Sequence, residues 1–150
     1  MQHARWMAVV VAAVLAPGGC GGSGTEPIDF GISFNTLRDH GDTSDGYYVC
    51  NIDLQVIATG DRGAGASFRP IEYTLRLSNG QSVNRMLDAA TTVEFLGSDQ
   101  IFAGESLITG TWLFWWDTSN MQRFSLTLDI AWQGLDGSPS GSRQVAFTCV

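Results

Sequence analysis

The chain has 150 residues, 44% hydrophobic and 11% aromatic, with a net charge of −7. That apolar content excludes disorder as the dominant state. Fifteen acidic residues against eight arginines and no lysine exclude a basic patch for nucleic acid or anionic lipid, because counterion release needs clustered cations.

At the N-terminus, Arg5 closes a short polar start, Trp6 to Ala16 form an apolar run of eleven residues, and Pro17-Gly18-Gly19 precede Cys20. A positive start, an apolar stretch and a small-residue cleavage zone predict a secretory signal over residues 1–19. Eleven residues rise only about 16 Å as a helix, short of a hydrocarbon core of about 30 Å, so the segment exports the chain and does not span. Cys20, followed by Gly21-Gly22-Ser23-Gly24, resembles the lipidated cysteine of bacterial lipoproteins. Gly18 and Gly19 fit that pattern, whereas Pro17 stands where leucine is usual and Leu15 lies two residues too early. The resemblance implies acylation at Cys20, a lipid anchor in the cell envelope and a flexible Gly-rich tether over residues 20–27. Ordinary cleavage after Ala16, with free secretion, and a retained N-terminal anchor are the other outcomes.

From residue 28 onward the apolar period is two. Ile28, Phe30, Ile32 and Phe34 alternate with polar or small residues, as do Tyr48, Cys50, Ile52, Leu54 and Val56. The same holds for Ile71, Tyr73, Leu75 and Leu77, for Phe124, Leu126, Leu128, Ile130 and Trp132, and for Val145, Phe147 and Cys149. Alternation sustained in this way marks half-buried antiparallel strands. It predicts strands at 28–35, 47–58, 70–78, 82–87, 106–116, 121–132 and 142–149, with a weaker one at 92–96. Asn79-Gly80 predicts a type I′ hairpin, and residues 38–46, 60–65 and 134–139 read as loops. Only Gln81–Ala90 offers a short helical alternative.

Seven or eight strands in about 120 residues predict one all-β domain over 28–150, an antiparallel β-sandwich. It resembles the immunoglobulin and fibronectin III superfold in a loose, Ig-like sense, without a tryptophan on the third strand and with the second cysteine on the last strand. With Cys20 acylated, Cys50 and Cys149 remain as one pair in an oxidising compartment, and neither belongs to a zinc or redox motif. Both lie on the apolar phase of strands whose relevant ends meet at one pole, so a Cys50–Cys149 disulfide is expected.

Enzyme templates fail by absence: no GxSxG, HExxH, P-loop or GxGxxG pattern occurs. His40 and Ser44 share the polar segment 38–46 with Asp39, Asp42 and Asp45, whose three-residue spacing does not follow the calcium-loop order. No catalytic residue, cofactor or metal is expected. One stretch breaks the half-buried pattern. In Thr111-Trp112-Leu113-Phe114-Trp115-Trp116, Leu113 and Trp115 are assigned to the core, which turns Trp112, Phe114 and Trp116 outward as an aromatic face, unless a loop covers it or a bulge flips the phase. The expectation is a non-enzymatic envelope lipoprotein whose Ig-like domain binds another protein. The alternative is a carbohydrate-binding module that stacks sugars on that face beside Asp117, Asn120 and Arg123.

Overall fold

The structure, a computed structural model, describes residues 26–116 and 122–150; Cys20, the signal and most of the tether lie outside the described residues. The elements are β1 (Phe30–Ser44), β2 (Tyr47–Gly60), β3 (Gly65–Phe68), β4 (Glu72–Leu77), β5 (Ser82–Met86), α1 (Ala89–Leu96), β6 (Gln100–Phe102), β7 (Ser106–Ile108), β8 (Trp112–Trp115), β9 (Phe124–Leu135) and β10 (Gly141–Phe147). In the first sheet β2 pairs with β1 on one edge and with β7 and β8 in turn on the other. In the second, β9 lies between β10 and the consecutive β4 and β3, which are flanked in turn by β5 and β6. Counting β3/β4, β5/β6 and β7/β8 as interrupted strands, a layer of three faces a layer of four. This is the Ig-like antiparallel sandwich that the alternation predicts.

The inward rows meet between the layers. On β2, Cys50, Ile52, Leu54, Val56 and Ala58 are at most 1% exposed, and they face Phe124, Leu126, Leu128, Ile130 and Trp132 of β9. Each such aliphatic side chain contributes about 1.5–3 kcal/mol through burial, so this double row is the principal apolar contribution to the fold.

Three local expectations are corrected. Residues 92–96 are not a strand but the end of α1. Asp88 caps the helix, accepting from the Thr91 amide at 2.8 Å, Gly97 closes it at φ 83°, and Thr92, Phe95 and Leu96 are buried at helical spacing. Segment 38–46 is not a loop, because β1 continues to Ser44 and turns at Asp45-Gly46 (φ 50° and 85°), the Asp-Gly hairpin signal. The Asn79-Gly80 hairpin is present, but only Gly80 has positive φ (91°) while the Gly80 amide donates to Leu77 O at 2.9 Å, so the turn is not type I′.

The predicted disulfide joins Cys50 to Cys149 with Cα atoms 5.1 Å apart, closing 99 residues. Such a loop is worth up to about 4.7 kcal/mol in the chain-entropy account. Around it the C-terminal residues cross from β10 to the edge of β1. The Asp39 carboxylate accepts from the Thr148 amide (2.8 Å), the Thr148 hydroxyl (3.0 Å) and the Cys149 amide (2.7 Å). The Tyr48 hydroxyl donates to Cys149 O, and the Gly41 amide to Val150 O at 3.1 Å. These contacts hold Cys149 at φ 54°, a conformation that non-glycine residues adopt at a cost of about 1–3 kcal/mol.

A Cβ on Gly41 would collide with the Tyr48 hydroxyl and the Cys149 carbonyl. Gly41→Ala is therefore expected to lower stability by about 1–3 kcal/mol, and Asp39→Ala, which removes three accepted hydrogen bonds, by about 2 kcal/mol. Urea unfolding of the oxidised protein measures both. Losses below about 0.5 kcal/mol, the scatter of a neutral surface change, would show that the junction does not support the fold.

Candidate functional site

The register of β8 on β2 decides which of its rings face water. Ile52 lies opposite Trp112 and Cys50 opposite Phe114, and directly opposed residues share one face of a sheet. Cys50 and Ile52 are fully buried, so Trp112 and Phe114 turn inward with them. Phe114 is 5% exposed and meets Tyr73 edge-on at 5.1 Å, and half-buried Trp112 meets Phe95 edge-on at 5.2 Å. Trp116 is also half-buried, packed against the core with the Arg85 guanidinium 5.3 Å from its ring. The expectation that Trp112, Phe114 and Trp116 form an outer face is thus overturned. These rings fill the end of the interior beside α1, and Leu113 and Trp115 stand outside, 54% and 58% exposed.

The outward phase of β8 completes a different surface at the tip of the β1–β2 hairpin. Trp115 lies opposite Val49, and its ring meets that of Tyr47 at 5.8 Å with the planes 55° apart. Val49 is on the outward phase yet only 7% exposed, and with Ser44, Asp45, Tyr47 and Trp115 it lines a notch of about 270 Å³. On β1, Asp42 is paired with Val49, and His40 with Asn51, whose other neighbour is Leu113. An apolar patch with an acidic edge results. Its place is set by the register, since β8 pairs with β2 at Val49 to Ile52, β1 pairs with β2 up to Ser44–Tyr47, and the Asp45-Gly46 turn closes the tip.

Other groupings from the sequence do not converge. His40 and Ser44 are four residues apart on one strand, about 13 Å at the strand rise, too far for a nucleophile–base contact. Asp39 faces the C-terminal residues and Asp42 the other side, so the Asp39, Asp42 and Asp45 carboxylates are not one cluster. Asp39 does lie beside Cys50 and Cys149, but those sulfurs are bonded to each other and are not thiolate ligands. Arg123 sits 5.9 Å from the Tyr48 ring, while Asp117 and Asn120 lie outside the described residues.

A wider cleft of about 500 Å³ crosses the outer face of the second sheet, where Glu72 and Asp129 lie directly opposite each other among Thr74, Asn84, Thr127 and Gln144. It is an open sheet face of mainly polar side chains, with Met86 at its edge opposite Glu72. Among the described residues, the two perturbed titrations belong to the scaffold. Burial, partly offset by Arg85, raises the Tyr73 hydroxyl, and hydrogen bonds from Thr91 hold the Asp88 carboxyl below its usual range.

No family model and no curated protein matches this sequence. Two solved structures are distantly similar. One is Northeast Structural Genomics Consortium target SoR45, 12% identical over 81% of this chain and 86% of that one, with a TM-score of 0.47. The other is a Bordetella pertussis protein assigned as ApaA, target BeR40, 14% identical over 83% and 92% of the two chains, with a TM-score of 0.46.

The two phases of β8 differ sharply in what truncation should do. Phe114→Ala removes a buried ring and is expected to cost about 3–5 kcal/mol. Trp115→Ala, at a position 58% exposed, should change stability by about 1 kcal/mol or less. Thermal and urea melts of the two variants check the assignment, and equal losses would contradict it.

Proposed function

We propose that this protein is a non-catalytic module exported to the cell envelope, held there through a lipidated Cys20, and that it binds a protein partner with the hairpin-tip patch of Tyr47, Val49, Leu113 and Trp115. The observation that carries the reading is Trp115, which is 58% exposed, inclined against Tyr47, and next to a leucine 54% exposed. Exposed contiguous apolar surface marks interaction sites, and tryptophan and tyrosine dominate the residues whose truncation abolishes binding.

Two further features support it. The disulfide suits an oxidising compartment, in line with an export signal. The patch also lies at the opposite end of the domain from the start of β1, into which the tether would lead. β1 begins at Phe30 beside Gly60 and reaches the hairpin tip after 15 residues, about 45–50 Å of strand. A domain anchored through residues 20–27 would hold the patch away from the membrane. A sugar-stacking platform is the weaker reading, because rings inclined at 55° do not present one plane to a pyranose face.

Two measurements test the proposal. Mass spectrometry of the membrane fraction is expected to find a diacylglyceryl-modified peptide beginning at Cys20; a soluble form beginning at Pro17 would remove the anchor. A photo-crosslinking residue at Leu113, in cells that make the protein, is expected to yield a discrete protein adduct that Trp115→Ala abolishes, while the same residue at Gln144 on the other sheet yields none. Equal adducts from both positions, or none from Leu113, would overturn the binding surface.

A further inference from the structure

We infer that the notch between Tyr47 and Trp115 receives a cationic side chain, an arginine or lysine on a basic segment of the partner. The inference rests on the proposed role of that patch and specifies its occupant.

Size is the first argument. A volume of about 270 Å³ falls just below the range of about 300–1,000 Å³ typical of small-molecule pockets, and suits one inserted side chain. Lining is the second. Each aromatic face carries the negative lobe of its quadrupole, and two rings that touch each other, Tyr47 and Trp115, both line the notch. Elsewhere in the chain a guanidinium already stands over a single ring, Arg85 at 5.3 Å from that of Trp116 and Arg123 at 5.9 Å from that of Tyr48.

Charge selects among possible guests. Asp45 lines the notch, and Asp42 stands beside it in the row of Val49 and Trp115. Arg38, on the same outward phase of β1, is four residues from Asp42 and is paired in register with Asp53. A neutral apolar plug would strip water from the Asp45 carboxylate without replacing its hydrogen bonds. A second copy of this chain would bring the same carboxylates to the interface, each copy carrying a net charge of −7. An anionic surface would be repelled in the same way. A guanidinium or ammonium satisfies the rings and the carboxylates together.

The test uses the full chain and two peptides that differ only in charge, acetyl-(Gly-Arg)₃-amide and its citrulline counterpart. The readout is the Trp115 indole N–H signal by NMR, identified with Trp115→Phe. The arginine peptide is expected to shift that signal, and the citrulline peptide to bind about tenfold more weakly or worse. Asp42→Asn with Asp45→Asn should weaken the arginine peptide at least about threefold, and salt should weaken it further as the Debye length falls below about 10 Å. Asp29→Asn with Asp136→Asn, at the opposite pole, should leave binding unchanged.

Equal binding of the citrulline peptide would overturn the inference, as would equal losses from both pairs of acid substitutions, which would mean general attraction to an acidic protein. A Leu113 adduct in cells combined with an inert arginine peptide would remove the cationic guest and leave the binding surface standing. Selective arginine binding without any cellular adduct would do the reverse.

Discussion

The inward row of β2, from Cys50 to Ala58, is the constraint from which both the core and the candidate site follow. Strand pairing transmits its phase sideways without loss, because directly opposed residues always share a face. Cys50 and Ile52 therefore send Phe114 and Trp112 inward, while Val49 and Asn51 keep Trp115 and Leu113 outward. A one-residue slip of β8 would exchange the two sets. It would expose Phe114 and Trp112 and drive Trp115 into a space already closed by Tyr73 and Phe95. The close edge-on contacts of those inner rings fix the register, and the register in turn positions the outer pair.

Most of the fold was legible because it is written with period two. In the middle of β2 and β9 the alternation identifies which row is buried, since the other row there holds Asn51, Asp53 and Gln55 on β2 and Ser125, Thr127 and Asp129 on β9. β8 carries no such information. Trp112, Leu113, Phe114, Trp115 and Trp116 are apolar on both phases. Its parity is set by pairing with residues sixty or more positions earlier, a non-local fact that the segment itself does not contain. The reading that placed Trp115 inside therefore failed for the reason that made the stretch notable. α1 was missed for a related cause: Thr92, Phe95 and Leu96 are helically spaced, but over five residues an alternating template fits nearly as well. Its caps, Asp88 and Gly97, were the usable signal. Segment 38–46 read as a loop because its inward positions are Asp39 and Gly41, which become reasonable strand residues only once the C-terminal residues lie against them. The Asp45-Gly46 turn was the local sign that the strand continued.

The junction at Cys149 ties these observations together mechanically. The disulfide crosses between the sheets at the row of Cys50, Gly41 and Phe114, one row below Trp115. Asp39, Gly41 and Tyr48 fasten the chain end to the same part of β1 and β2. The hairpin that carries Tyr47 and Asp45 is thereby anchored at its root by a covalent bond and several hydrogen bonds, and closed at its tip by a tight turn. Preorganised aromatic side chains lose little freedom on binding, so a rigid base of this kind favours recognition by Tyr47 and Trp115 without reshaping of the loop.

The two outer sheet faces show what the fold itself requires. On the second sheet the outward positions of β4, β9 and β10 hold Glu72, Thr74, Thr127, Asp129 and Gln144, side chains that water accommodates and that a strand tolerates. The same architecture would accept threonine or glutamine at 113 and 115, because neither position faces the core and threonine has good strand propensity. The core therefore does not require a leucine and a tryptophan there, each more than half exposed, although the Trp115 ring packs on Tyr47 beside buried Val49. Solubility argues against them. What remains is a surface kept apolar at one pole and edged with carboxylates, at the end of the sandwich farthest from the segment that would tether it. Those properties are the ones that the proposed docking role would require.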